Sequence, residues 1–527
     1  MKTMTKIIVM VLVACLLLTG CSGKAAKNAT EKTENTNVTA TEEPKPTEPE
    51  RKLKDTMTIV LRGEPSNIDP HNNLELNAFT VQMQIYDTLV TRDNEGNISP
   101  SVATKWEQID DVTTRFYLRD DVYFHNGDKM TAEDVLFTIQ RACRMSSSAS
   151  IFASVDGDKC KVVDDYTIDV VTKGPFAALL NYISSTRGGI VPKKVVEAVG
   201  DDEFGRNPIG TGPFKFDSWL TGTQVVLKRN DSYWGDKPTF STMVFKFIAE
   251  DATRAIELET GMADVIFNPA ATDTARMKEE PDKFKVYIGE SYMQMKLGFN
   301  LSDEVTGNPL VRKALAYALD TTLITETVYG DFAEPAGGIM ANAIDFYKEF
   351  GVQEYNPDLA KKLLAEAGYA DGLTLVFGIN NSKESYDIAE IVQNMWAEIG
   401  VKVDIKISAQ PEFMAAGIRG EYQVTASSAS FTTGDPGHAL KDFRTTSTGT
   451  YHATDTKVDE MMDEAAITFD RAERQKKYED IQQYLYDAYV CIPISTKKVV
   501  YITSAKVENF NAAATSTPYM GGSIVYE

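Results

Sequence analysis

The hydrophobic and polar positions divide the chain into three stretches. Lys2 and Lys6 precede an apolar run from Ile7 to Leu18, which ends in Leu18-Thr19-Gly20-Cys21. A basic start, an apolar stretch of 12 residues and a small-residue processing point read as a secretory signal over residues 1–20. The run is too short to cross a hydrocarbon layer of about 30 Å as a helix. From residue 21 to about 54, apolar positions nearly vanish in favour of Asn, Thr, Glu, Lys and Pro, closing on Glu43-Pro44-Lys45-Pro46-Thr47-Glu48-Pro49-Glu50. Such a segment cannot repay its ordering entropy, and its prolines keep it extended. It reads as a tether, or as a disordered tail with no spacing role.

The third stretch alternates between two periods. Met57-Thr58-Ile59-Val60-Leu61, Arg115 to Leu118, Val225 to Leu227 and Phe245 to Ile248 are strand-length apolar clusters. Between them stand helical patterns with clear ends. Thr131-Ala132-Glu133-Asp134 is a capping-box start ahead of the apolar face carried by Val135 and Ile139. Asn308-Pro309 opens a helix through Leu319, Asn356-Pro357 opens one closed by Gly368, and Asp470 begins one reaching toward Tyr486. This alternation predicts α/β layers rather than a bundle or a sandwich. Asn207-Pro208-Ile209-Gly210-Thr211-Gly212-Pro213-Phe214 is dense in Gly and Pro and predicts a tight, fixed connection, and Gly330 to Met340, with Pro335, Gly337 and Gly338, reads as a turn or hinge-like loop. The Gly-x-Gly of the first is followed at once by Pro213 and opens no helix, which argues against a nucleotide site.

Composition narrows the function. A chain of 527 residues with 43% hydrophobic content predicts more than one core. A formal charge of −22 argues against a nucleic-acid partner, whose phosphates call for a basic surface. The four histidines, His71, His125, His438 and His452, are too far apart in sequence for a familiar metal motif, and no Gly-x-Ser-x-Gly elbow or compelling carboxylate pair appears. No cofactor is expected. His125 reads as part of a structural turn. Cys143 and Cys160, 17 residues apart, leave a disulfide open, and Cys491 has no evident partner.

Leu18-Thr19-Gly20-Cys21 resembles the lipobox of bacterial lipoproteins. The resemblance implies removal of residues 1–20, a diacylglycerol on the sulfur of Cys21 and attachment to the outer face of a cell membrane. Further blocks, in order, resemble the large substrate-binding proteins of peptide, nickel and related ABC importers, solute-binding family 5. They are Glu64 to Pro70, Ile85-Tyr86-Asp87-Thr88-Leu89-Val90, Ser99 to Trp106 and Phe116 to Gly127 with Thr131 to Val135. Pro208 to Phe214, Leu227 to Gly235, Val311 to Asp320 and Ala360 to Tyr369 continue the series. The similarity runs from about residue 57 to the C-terminus. It implies a two-lobed, periplasmic-binding-protein-like fold of the type II large class, its lobes joined by a two-strand hinge. One lobe would comprise 55–300 and 500–527, with 100–206 as an extra subdomain, and the other 301–499. Met293 to Asn300 would make the first crossing, with Gly298 supplying backbone tolerance.

The resemblance also implies the function: capture of a small solute outside the membrane and delivery to the transmembrane subunits of an ABC permease, by a monomer with no catalytic residue. Oligopeptide or dipeptide comes first as ligand. Glutathione-like peptides, nickel chelates, other small solutes or a peptide-sensing role are the alternatives, and a secreted hydrolase is a remote one. Ala426 to Leu440 looks like the family's cleft segment. There Asp435 matches the carboxylate that pairs with a peptide's ammonium group, and Phe431 or Thr432 stands near the place often held by Trp. This chain lacks that Trp, which weakens a free-peptide assignment. Asp435 could equally form an Asx turn before Pro436. His438 could reach the ligand, and Tyr292 and Phe431 are candidate cleft walls or plain core.

Overall fold

The computed structural model describes residues 51–93, 96–515 and 517–527. The signal run, Cys21 and all of the tether up to residue 50 lie outside the described residues. Residues 51–54 lie against the body: Lys54 Nζ meets Asp264 Oδ1 at 2.8 Å, and Leu53 bridges to Tyr526.

The predicted strands and helices assemble around one mixed sheet of eleven strands among the described residues. Its spine is a pair of long antiparallel strands, Phe284–Phe299 and Cys491–Ser504, of 16 and 14 residues. Strands of 5–6 residues are usual; these are long because both flanks of the one sheet pair with them. On one flank lie Val265–Phe267, Thr56–Leu61, Thr242–Phe247, Gln224–Arg229 and Phe214–Leu220. On the other lie Val424–Ser430, Leu373–Asn380 and Val401–Ser408. The pairing of the two long strands breaks register between Glu290 and Gln294. Ser291 Oγ fills the break by donating to Lys497 O at 2.5 Å. A bulge of this kind re-aims the side chain next to it, here Tyr292.

Separate cores flank the break. Leu297, Phe299, Leu315, Phe377 and Trp396 pack one side; Ile59, Val81, Phe214, Leu227 and Phe245 pack the other. The molecule is therefore two-lobed, with the two long strands as the hinge. A third core, around Phe116, Val135, Ile139 and Ile168, belongs to a four-stranded antiparallel sheet covered by helix Ala132–Arg144. The expected capping box at Thr131 is formed, with Asp134 Oδ2 accepting from Thr131 N at 3.1 Å. Gly298 does not serve as a flexible point. A Cβ there would stand 2.8 Å from Cε1 of Tyr451, so the glycine makes room for a ring, and the irregularity lies earlier in the strand. The Gly330 to Met340 connection includes a short strand, Ala333–Pro335, paired with the second long strand. Cys143, Cys160 and Cys491 are free thiols. No helix among the described residues is long and apolar enough to cross a membrane.

Several of the quoted blocks meet at one half-buried carboxylate. Asp87 accepts from Thr211 Oγ1 at 2.9 Å, Tyr233 OH at 3.0 Å and Trp234 Nε1 at 3.0 Å. Burial pushes its pKa up, opposed by these three donors. His125 holds the adjoining turn: Gly210 N donates to its Nδ1 at 3.2 Å, and its Nε2 faces Gly212 O at 3.0 Å. The Pro208–Phe214 connection is thus a structural clasp, with Gly210 and Gly212 pressed against the Ile85 carbonyl, where no Cβ would fit.

Candidate functional site

The lobes touch along a cleft in front of the hinge. Ala177 N, from the first lobe, donates to Ala466 O in the second at 2.8 Å. The Tyr182 and His438 rings face each other with centroids 6.0 Å apart. Arg187 Nη1 reaches Thr432 Oγ1 at 3.4 Å. Arg92 donates to Tyr292 OH at 2.5 Å and stands 3.5 Å from Asp345 Oδ1. Gly434 is needed at that contact. Its φ is +61°, and a Cβ on it would overlap the Arg92 guanidinium at 2.0 Å.

Two cavities lie in the cleft. The first, about 120 Å³, is walled by Phe79, Arg92, Ser185, Tyr292, Thr432 and Tyr519 among others. The second, about 550 Å³, opens between Lys173, Phe176 and Tyr182 of the first lobe and Asp435, His438 and Lys441 of the second. The second is in the range of small-solute sites, and the first is smaller than that range.

The residues singled out from the sequence fall as follows. Tyr292 and Thr432 line the first cavity. Tyr292 is nonetheless almost fully buried, and burial raises its pKa despite the guanidinium beside it. Asp435 and His438 line the second cavity. Asp435 is 1% exposed and has two partners: Gly437 N at 2.9 Å, as the N-cap of the short helix Pro436–Ala439, and Arg474 Nη2 at 2.6 Å. The Asx-type turn before Pro436 is formed, and an ion pair is added to it. His438 is neutral at pH 7, because burial, aided by Lys441 and Arg187, pulls its pKa down to about 3. Phe431 sits in the core beneath, edge-on to His438 at 5.4 Å and below Lys296 Nζ at 5.7 Å.

Arg92, Arg187, Asp345 and Arg474 were not singled out. Arg474 had a readable signal: Arg474, Tyr478, Ile481 and Leu485 form the buried stripe of helix Arg471–Asp487, and a cation in that stripe calls for a buried anion. Arg92 follows directly on the Ile85–Val90 block, but nothing local marks its target. Arg187 lies in a Ser-Ser-Thr-Arg-Gly-Gly turn that reads as an ordinary solvated loop. Among the described residues no group of three His, Cys, Asp or Glu side chains is placed to share a metal ion.

Two lobes on a two-strand hinge, with cavities walled by both, define a solute-binding protein of the periplasmic-binding-protein-like class. Residues 97–451 match the model of bacterial extracellular solute-binding proteins, family 5, and the chain belongs to that family. A glutathione-binding protein, GsiB of Pectobacterium atrosepticum, is 26% identical over 463 residues, covering 84% of this chain and 89% of the relative. Among solved structures, the ABC transporter substrate-binding protein CtaP of Listeria monocytogenes superposes with a TM-score of 0.80 at 24% identity, over 90% of this chain and 100% of that one. The Helicobacter pylori periplasmic binding protein DppA, in complex with the peptide STSA, gives a TM-score of 0.77 at 22% identity, over 90% and 99%.

Proposed function

We propose that this chain is the extracytoplasmic substrate-binding component of an ABC importer, taking a short peptide or a glutathione-like peptide between its lobes and presenting the closed complex to the permease. The observation that carries the reading is the pair of cavities walled by both lobes in front of a two-strand hinge. A solute held there touches both lobes at once, so it binds the closed form more tightly than the open one and shifts the population toward closure. Binding and release suffice for this task, and no bond-making step enters it. The glutathione-binding and peptide-bound relatives support a peptide as cargo. We further propose processing before Cys21, a lipid on its sulfur, a tether leading into the body, and a monomeric mature protein.

The test is a melting-temperature screen on the purified mature chain with di- and tripeptides, glutathione, sugars and nickel chelates. Ligands that bind only the native state raise the midpoint by mass action, about 2.7 kcal/mol at a hundredfold excess over Kd. A rise with peptides or glutathione is expected; a response confined to sugars or chelates rejects the peptide reading.

A further inference from the structure

Past its register break, the first long strand presents alternate side chains to one side, as the period of a strand dictates. Each of them is engaged off the sheet. Tyr292 OH accepts from Arg92 of the first lobe. Gln294 Nε2 donates to Gly338 O at 2.8 Å and to Met340 O at 3.1 Å. Lys296 Nζ donates to Ile339 O at 2.8 Å. The hinge strand therefore holds three consecutive carbonyls of the largely buried loop from Gly337 to Asp345. At the far end of that loop, Asp345 Oδ1 stands 3.5 Å from Arg92 Nη2. The contacts close a ring that runs from hinge strand to loop, across to Arg92, and back to the strand at Tyr292. The loop is packed tightly enough to move as a unit: a Cβ on Gly338 would stand 2.6 Å from the Tyr347 ring, and Phe350 N donates to Gly337 O at 2.7 Å.

Lys296 is the costly member of the ring. It is 4% exposed, and among the described residues no carboxylate lies within ion-pairing distance of it. Its ammonium faces the Phe431 and Phe443 rings at 5.7 and 5.6 Å, and burial lowers its pKa, opposed by Cys491 and Asp442. An apolar side chain of similar length would spare the fold the desolvation of an ammonium, so stability alone does not call for lysine here. We propose that Lys296 is a positioning residue of the hinge: through the Ile339 carbonyl it fixes the Gly337 to Asp345 loop and so sets Asp345 against Arg92, holding the ligand-free lobes together. The proposal rests on the lobes opening about the two-strand hinge. Bending the strand at its break moves Gln294 and Lys296, the loop follows them, and Asp345 is carried toward Arg92 or away from it.

A double-mutant cycle of Lys296→Met and Asp345→Asn on the ligand-free mature chain tests this by small-angle scattering, with urea unfolding alongside. Each single variant is expected to raise the radius of gyration, and the double variant to raise it no further, because both cut the same chain of contacts. Increases that add in the double variant overturn the link between Lys296 and Asp345. A Lys296→Met chain that loses stability at an unchanged radius overturns it too, since that is the mark of a merely structural lysine. An Asp345→Asn radius equal to the parent's overturns the assignment by itself, so the test decides even if Lys296→Met fails to fold. No ligand enters the experiment, so its failure and a failure of the peptide reading are told apart.

Discussion

Half-buried Asp87 and buried Arg187 are both charges of the first lobe, and they differ in how their hydrogen-bonding capacity is met. Asp87 is surrounded by donors from Thr211, Tyr233 and Trp234. Arg187 has one long contact across to the other lobe and an orphaned Nε. A buried group that is fully paired stabilises a fold; one left short carries a desolvation cost that its surroundings have to bear. By that criterion the clasp around Asp87 is scaffolding, although it contains the most recognisable sequence of the chain, and the unremarkable Ser-Ser-Thr-Arg turn belongs to the cleft.

The most severe way to break this contrast is Asp87→Ala. It leaves three donors without their acceptor, one of them (Thr211) fully buried, and losses of this kind run to about 1–3 kcal/mol. Urea unfolding should show that drop, while ligand affinity measured on the folded fraction stays within about twofold of the parent, since a change remote from the cleft leaves its contacts in place. Affinity lost with no loss of stability would move Asp87 from scaffold to site.

Two histidines sharpen the comparison through pH. Burial lowers the pKa of His125 to about 4 and that of His438 to about 3, both from an ordinary 6.5. Their folded values lie below the unfolded one, so the unfolded chain binds more protons as pH falls below about 6.5. Each then removes about 1.4 kcal/mol of stability per pH unit until its folded value is reached. His125→Gln and His438→Gln should each flatten the slope of unfolding free energy between pH 6.5 and about 4. An anionic ligand in the cavity that His438 lines would raise the folded pKa of His438, so saturating ligand should shrink the share carried by His438 and leave that of His125. Equal shrinkage of both shares would separate His438 from the ligand site.

The fold was legible because its signals are local. Strands near Ile59, Phe116, Val226 and Phe245, and helices opened by Thr131, Asn308, Asn356 and Asp470, stand where the pattern and the caps place them. The family blocks were legible too, and they converge physically, Asp87, Thr211 and Trp234 coming from separate blocks to one point. The cleft was legible only in part. Tyr292, Thr432, Asp435 and His438 reach cavities, but what each does there depends on partners the sequence does not put beside it. Arg187 and Thr432 are 245 residues apart, and Arg474 and Asp435 are 39 apart. A carboxylate in a Gly-Asp-Pro turn reads the same whether its second oxygen faces a ligand or an arginine from a distant helix. Phe431, a candidate wall, went to the core because the strand it follows turns its ring onto His438 and Lys296.

The smallest expected effect probes the hinge side of the contrast. Arg92 reaches across the cleft to Asp345 and lies flat on Gly434, whose φ of +61° and missing Cβ make the approach possible. Gly434→Ala introduces a methyl where the guanidinium sits and a side chain in the left-handed region, at a cost of about 1 kcal/mol. The part of that cost due to the Arg92 clash is absent from the open form if Arg92 swings clear, so the variant should favour the open form. Small-angle scattering of the ligand-free variant should give a larger radius of gyration than the parent, and saturating ligand should bring the two together. Identical scattering with unchanged affinity would mean that Arg92 does not hold the lobes together, leaving the Arg187–Thr432 contact as the charged link between them.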